Sequence, residues 1–245
     1  MSIKIILNSK DRVNNATSAN DCEFRINWGA ILDDAKYRVS YSICKQLIIP
    51  VIPEIPWTFR VKSSTLTVPT TVDGITITNT NVSMINDVKR GPVFNFGGNG
   101  YLSINQPTPV NSTKTFWVMM PIVTSANNNV FSTAKMPVWF NGTTFLRATV
   151  NFGVGGGGDV TSTVAQTSGV WKFYAITTTA TTTELYVDGN VVSTRNFNWT
   201  GDTAVINLGA FLAQSLFTGR LDDMRLYSST LTASDINTIY TKTLL

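Results

Sequence analysis

The chain has 245 residues, of which 43% are hydrophobic and 14% charged, with a formal net charge of +4 at pH 7. The hydrophobic fraction predicts a packed core, while the charged fraction lies well below the roughly 25% of an average soluble domain. Because the lysines and arginines are scattered, and nucleic-acid binding needs clustered basic residues, we expect no nucleic-acid partner. No apolar run approaches the roughly 18 residues of a transmembrane helix, so we also expect no membrane span.

Residues 1–56 read as a first segment built from short β-strands. Residues 22–28 and 37–49 alternate between apolar and polar side chains, which predicts half-buried strands. Prolines at positions 50, 53 and 56 would stop a strand and stiffen the chain. We therefore expect a boundary here between a segment 1–56, suited to assembly or attachment, and a domain 57–245.

The amino terminus and the cysteines bear on where the chain is made. Residues 1–8 lack a cationic stretch followed by a long apolar one, so they do not form a signal peptide. Cys22 and Cys44 are too few for a disulfide scaffold, and we expect two free, buried thiols. A single disulfide between them stays open. These features predict synthesis in a cytoplasm.

From residue 57 onward, short apolar stretches alternate with turn signals. Asp188-Gly189 between two apolar runs is a strong hairpin signal, and Gly155–Gly158 predicts a flexible loop. Strands are predicted at 57–63, 75–79, 92–96, 100–104, 115–122, 128–133, 137–140, 145–152, 171–178, 183–188, 191–196, 203–209 and 217–228. Many short strands with such punctuation predict an all-β antiparallel sandwich or jelly roll.

One helix is predicted, at the carboxyl end. Thr232 can cap it, and Asp235 three residues later favours the positive end of the helix dipole. Ile236, Ile239 and Tyr240 then share one apolar face. The expected architecture is therefore a β-sandwich closed by a short helix.

Six motifs in this order resemble the laminin-G-like members of the concanavalin-A-like jelly-roll proteins. They are Arg90–Ile104, Gly169–Ile176, Thr183–Asn190, Asn207–Ala210, Phe217–Tyr227 and Leu231–Tyr240. The first motif departs from the family pattern by one extra residue between its glycines. The resemblance covers residues 57–245 and implies a concanavalin-A-like sandwich, whereas function follows from fold only loosely.

A shorter resemblance concerns the amino-terminal segment. Ile5–Arg12, Cys22–Trp28 and Tyr37–Ser40 are similar to the opening of structural proteins of large DNA viruses and of their virophage and polinton-like relatives. This resemblance implies a minor capsid or penton-type protein of the virion, made in the host cytoplasm, whose partners are other capsid proteins or further copies of itself in a homo-oligomer. An ordinary pair of β-strands is the alternative.

Catalytic groups are scarce, so we expect no enzymatic activity. The sequence has no histidine, which excludes the common Ser-His-Asp and Cys-His systems. Glycoside hydrolysis needs two nearby carboxylates, and Glu23, Glu54 and Glu184 lie in no such pattern. Gly155–Gly158 opens no helix and lacks a following Lys-Ser/Thr, so it is not a phosphate-binding loop.

Four residues are candidates for ligand binding. Tyr101, Trp139 and Trp199 flank predicted turns, where an aromatic ring could stack on a sugar, and Asp188 could accept hydrogen bonds from hydroxyl groups. For each, a structural role in the core or in a turn is the alternative.

No cofactor is expected, although calcium stays open. Family members that bind calcium use loop carboxylates and carbonyl groups, but Asp222 and Asp223 give no complete ligand set. Two functions remain: a non-enzymatic virion structural protein, or a carbohydrate- or receptor-binding module that recognises a cell-surface glycan.

Overall fold

The computed structural model describes residues 55–121, 128–140, 144–151, 153, 157–203, 205–211 and 215–244. The predictions made for the amino-terminal segment, including Cys22, Cys44 and the expected boundary near residue 56, fall on or next to residues outside these ranges and stay predictions. The strands are β1 Phe59–Val61, β2 Thr71–Val72, β3 Ile75–Thr80, β4 Ser83–Asp87, β5 Gly91–Gly97, β6 Tyr101–Ile104, β7 Ser112–Met119, β8 Asn128–Ser132, β9 Pro137–Phe140, β10 Phe145–Val150, β11 Gly158–Ala165, β12 Lys172–Thr178, β13 Thr182–Val187, β14 Asn190–Asn196, β15 Ile206–Leu208 and β16 Thr218–Tyr227.

These strands form two antiparallel sheets that pack face to face. The first sheet has the order β14-β13-β12-β7-β16-β5-β4, with β1 pairing to β16 as well. The second has the order β11-β10-β9-β8-β15-β6-β3-β2. Neighbours in space are often distant in sequence, as expected of a jelly roll. The predicted all-β sandwich is confirmed.

The apolar core lies between the sheets, and the strands show why. In β10, Leu146, Ala148 and Val150 are buried in the core, while Arg147 and Thr149 between them are partly exposed on the other face. Alternate residues of a strand point to opposite faces, so each such strand gives one row to the core and one to the outer surface.

Every strand predicted after residue 57 is present, with ends shifted by a few residues. The sequence reading missed β2, β4 and β11. For the region of β11, the sequence analysis used only the glycine run and predicted a loop up to Gly158. Gly158 in fact begins the strand, where Val160 and Ser162 are buried.

The helix α1 spans Ala233–Thr243 and packs on the outer face of the first sheet. Thr232 and Asp235 form the predicted capping box, each side chain bonding the other residue's backbone N–H. Ile236 and Ile239 are buried against Trp117 and Phe173. Among the described residues, no helix combines the length and the apolar character that crossing a bilayer requires.

Beside the helix, arginines and aspartates form a buried ionic network. Asp223 lies in a bulge of β16 with a left-handed φ of 48°. Its carboxylate oxygens accept from Arg60 Nε at 2.6 Å and from Arg225 Nη2 at 2.7 Å. The neighbouring Asp222 accepts from Arg90 Nε at 2.7 Å. Long-range pairs such as Arg60–Asp223 thereby tie β1 to the middle of the sheet.

Removing the Asp223 charge should lower stability. Burial alone would raise the pKa of Asp223, but the Arg225 and Arg60 hydrogen bonds lower it to about 2. A carboxyl group whose pKa is lower in the folded than in the unfolded state stabilises the fold at pH values above its unfolded pKa. This stabilisation is lost as the pH falls through the folded pKa. Asp223→Asn should therefore lower the free energy of unfolding by about 2–4 kcal/mol at pH 7. Urea unfolding should show that the difference in unfolding free energy between Asp223→Asn and wild type is smaller at pH 3 than at pH 7.

The control is Asp73→Asn, the same change at an exposed left-handed position, where the Asn oxygen can keep the bond that Asp73 accepts from the Arg60 backbone N–H at 3.2 Å. It should leave the unfolding free energy nearly unchanged. A loss at Asp223→Asn no larger than at Asp73→Asn would show that the network adds no stability.

A second buried ionisable group, the Lys114 amine, has no acidic partner among the described residues, and its removal should raise stability. Lys114 on β7 is fully buried, and burial lowers the pKa of its amine to about 7. Between this pH and about 10.5 the unfolded chain binds a proton that the folded chain does not, so stability should rise with pH by about 1.4 kcal/mol per unit. Lys114→Met should remove this slope and stabilise the protein most near and below pH 7.

Urea unfolding at pH 6, 7.5 and 9 measures the slope, and Lys89→Met, at an exposed position, is the control. The same pH dependence in Lys114→Met and Lys89→Met would contradict the assignment.

Candidate functional site

The outer face of the second sheet is polar and crossed by rows of paired side chains. One row runs Thr161, Arg147, Trp139 and Asn129 across β11, β10, β9 and β8. Trp139 lies between Val138 and Phe140, which are both buried in the core, so its indole points to the outer face. We call these four residues, with Asp159 and Thr149 beside them, the Trp139 face.

Trp139 is half-buried and has an unused hydrogen-bond donor. Its indole Nε1–H is shielded from solvent and has no partner among the described residues. Across the strand pair, the Asn129 Nδ2 donates to the Ser215 carbonyl oxygen at 3.1 Å, while its Oδ1 is buried and has no partner within the described ranges. Buried polar atoms of this kind are commonly satisfied by ordered water.

The charged half of the face is held by its own contacts. Arg147 Nη1 lies 3.1 Å from Asp159 Oδ2, and the Thr149 hydroxyl donates to Asp159 Oδ1 at 2.7 Å. Both charged side chains remain about one-third exposed. The guanidinium is therefore oriented next to Trp139 and still accessible from solvent.

A second row extends the polar surface. Ser103 on β6 donates its hydroxyl to Asn207 Oδ1 on β15 at 2.7 Å. Tyr101, two residues before Ser103, is half-buried on the same outer face. β6 lies three strands from β9, so the two aromatic rings are separated by about 14 Å.

Of the four predicted ligand-binding residues, two share this face and two do not. Trp139 and Tyr101 lie on it. Trp199 is only 2% exposed and donates its indole N–H to the Pro109 carbonyl oxygen at 3.3 Å, so it offers no ring face to a ligand. Asp188 lies at the β13–β14 hairpin with a φ of 48°, and its Oδ1 accepts from the Phe173 backbone N–H at 3.0 Å.

Sequence reasoning missed Asn129 and Arg147. Arg147 lies between the apolar Leu146 and Ala148, which could have marked it as outward-facing, whereas Asn129 follows two other asparagines and gives no such signal. Their placement beside Trp139 depends on strand register, which local sequence does not determine.

The aspartates considered for calcium are held by arginines. Both Asp222 and Asp223 bond guanidinium groups, and this cationic surrounding disfavours a divalent cation. Within the described ranges, no three acidic, histidine or cysteine side chains come together as a metal site.

Comparison with known proteins places the chain among related folds. A family model described as the concanavalin A-like lectin/glucanases superfamily matches residues 96–237, more than half of the chain. No curated protein matches the chain in sequence.

Three solved structures show the same fold at low identity. Domain 4 of the extracellular arabinanase AbnA from Geobacillus stearothermophilus, in complex with arabinotriose, is 16% identical with a TM-score of 0.57, over 69% of this chain and 90% of that one. The binding domain of botulinum neurotoxin serotype D/C is 14% identical with a TM-score of 0.61, over 76% of this chain and 51% of its own. The binding domain of Paraclostridial Mosquitocidal Protein 1 is 13% identical with a TM-score of 0.60, over 76% and 51%.

The chain therefore spans about half the length of the two toxin binding domains. At these identities the structural likeness concerns the fold alone. The family match, the six ordered sequence motifs and the two-sheet sandwich agree with one another. The chain belongs to the concanavalin A-like lectin/glucanases superfamily.

Proposed function

We propose that the chain is a non-enzymatic carbohydrate-binding module and that the Trp139 face is its binding surface. The observation that carries this proposal is the outward, partly exposed indole of Trp139, which lies in one row with the Arg147 guanidinium and the Asn129 amide. Ligand sites commonly combine such an apolar surface with a few well-placed polar groups.

The chemistry of this row suits a sugar. One side of a pyranose or furanose ring carries C–H bonds that pack on an aromatic ring, and its rim carries hydroxyl groups that donate and accept hydrogen bonds. Trp139 supplies the aromatic ring, Arg147 supplies donors, and the carboxylate of Asp159 supplies acceptors. The Trp139 Nε1–H and Asn129 Oδ1 are buried beside this row, so the groups that a sugar meets at the surface are the indole ring, the guanidinium and the carboxylate.

Structural neighbours support the proposal without proving it. The arabinanase domain was solved with arabinotriose, and a neurotoxin D/C binding domain of the same fold was solved with SialylT. The study of botulinum neurotoxin type C describes cell entry that depends on two ganglioside molecules. These ligands belong to those proteins. The arabinanase domain, matched over 90% of its length, supports the proposal more directly than the toxin chains, of which 48% is matched.

The absence of enzymatic activity is part of the proposal. Glycoside hydrolysis takes two carboxyl groups about 5–9.5 Å apart, across the scissile bond. On the Trp139 face as the structure describes it, Asp159 is the acidic residue, and it is bonded to Arg147 and Thr149. The chain also has no histidine to act as a general base.

The virion role expected from the amino-terminal motifs gains no support from the comparisons. It depends on residues that lie outside the described ranges, so it stays a prediction. The binding reading depends on described side chains, and for this reason we place it first.

Truncation of Trp139 should abolish most glycan binding. Trp139→Ala removes the stacking surface at the centre of the face, and loss of a central aromatic anchor typically weakens binding about tenfold or more. Glycan-array screening of the wild-type protein would first identify a ligand, and isothermal titration would then compare the variants. Tyr101→Ala, about 14 Å away on the same face, should weaken only ligands long enough to reach it.

Trp171→Ala is the matched control, because Trp171 is a half-buried tryptophan packed against the first sheet. It should bind like wild type once circular dichroism shows that it is folded. Equal affinity of Trp139→Ala and wild type for the identified glycan would refute the location of the site.

A further inference from the structure

The amine of Lys114 lies between the two sheets, surrounded by hydroxyl groups. Lys114 is on β7 and points inward, as does Phe116 two residues later, which belongs to the core. Its Nζ donates to the Ser112 hydroxyl at 2.7 Å and to the Thr178 hydroxyl at 3.1 Å. In the part of the chain that the structure describes, no carboxylate is among its bonded partners.

Two further polar groups at this end of the sandwich are unsatisfied. Thr183 on β13 pairs with Thr178 and points inward beside it. Its Oγ1 is completely buried and has no hydrogen-bond partner among the described residues. Asn151, at the end of β10, is 5% exposed and has an unpartnered Oδ1. Buried polar atoms seldom remain unpaired in native proteins, so these atoms mark an incomplete site.

A surface pocket opens next to this cluster. It has a volume of about 350 Å³ and is lined, among the described residues, by Thr181, Asn196, Phe197 and Asn198. Trp199 follows directly, and its indole ring lies 5.8 Å from Lys114 Nζ. The Trp199 side chain is 2% exposed in the core, and its indole N–H donates to the Pro109 carbonyl oxygen at 3.3 Å.

We propose that this pocket and the Lys114 cluster form a second ligand site, which binds the carboxylate group of a small organic acid or of an acidic sugar. Lys114 supplies the positive charge, the Thr183 hydroxyl supplies a hydrogen bond, and the Ser112 and Thr178 hydroxyls position the amine. A shift of the Trp199 side chain connects the pocket to the cluster. The site is independent of the Trp139 face and does not depend on the function proposed for it.

A carboxylate satisfies the buried amine and the unpaired hydroxyl better than a neutral ligand does. It accepts up to about four hydrogen bonds and donates none, and the Thr183 hydroxyl, which has no partner among the described residues, can rotate to donate to it. The Ser112 and Thr178 hydroxyls already donate to the Pro109 and Ser112 carbonyl oxygens at 2.8 and 3.2 Å, so they hold the amine in place. A buried ammonium group without a counter-ion is unfavourable, whereas a paired and hydrogen-bonded one is tolerated. Arg195, opposite Thr183 on the neighbouring β14, is exposed and adds positive charge on the same side.

Binding should strengthen as pH falls toward 6. Because burial lowers the pKa of Lys114 to about 7, binding an anion above that pH requires the amine to take up a proton. The acidic groups of adjoining elements do not replace the ligand. Glu184 on β13 points to the opposite side of its sheet and bonds the Tyr186 hydroxyl, and Asp202 accepts from the Lys135 backbone N–H.

The test is an NMR titration of the full chain at pH 6 that follows the Trp199 indole N–H. Sodium acetate and sodium glucuronate should each give a saturable shift, whereas glucose, and sodium chloride at the same ionic strength, should not. Tighter binding of glucuronate than of acetate would point to an acidic sugar, and equal binding to a free organic acid. No saturable shift with either acid would overturn the proposal.

Two variants assign the site. Lys114→Met should abolish the shift, while Lys89→Met, at an exposed lysine, should bind like wild type. Thr183→Val should weaken binding about fivefold to tenfold, the effect of one lost hydrogen bond, and should leave the ligand-free protein at least as stable because an unpaired hydroxyl is removed. Persistence of the shift in folded Lys114→Met would place the acid elsewhere and refute the proposal.

Discussion

Burial of the two inner sheet faces against each other is the constraint from which the rest of this structure follows. Each strand that faces the core gives alternate residues to it, so the intervening residues are committed to an outer face. On the first sheet that outer face is covered by α1 and the arginine–aspartate network. On the second sheet it presents the partly exposed, polar Trp139 face. The described sandwich thus has one outer face that is covered and one that is partly exposed.

The sandwich itself could be predicted from the sequence, because its signals are local. The Asp188-Gly189 hairpin and the Thr232–Asp235 capping box need only neighbouring residues to be recognised, and both appear as expected. β11 was not predicted because a glycine run indicates a loop, and the alternation of side chains begins only after that run. β4 has partly exposed apolar residues and carries little periodic signal.

The candidate site could be predicted only in part, because it depends on register between distant strands. Trp139 and Tyr101 were identifiable as aromatic residues beside turns, yet Trp199, chosen on the same grounds, is in the core. Trp139 and Tyr101 differ from Trp199 in the side of the sheet on which the ring lies. The Trp199 ring lies on the inner side, where its indole N–H bonds Pro109 and its ring faces Lys114. Likewise, nothing local pairs Asn129 with Trp139.

The covered side also determines how the domain can be displayed. β1 pairs within the first sheet, and α1 ends against that sheet's outer face, where the Thr243 carbonyl accepts from Arg90. Both ends of the described sandwich therefore lie on the side away from Trp139. A solid support joined to the sandwich just after α1 would therefore hold it with the Trp139 face directed outward. Such one-sided geometry makes the domain suitable for dense, oriented arrays in which many copies present the same surface at once.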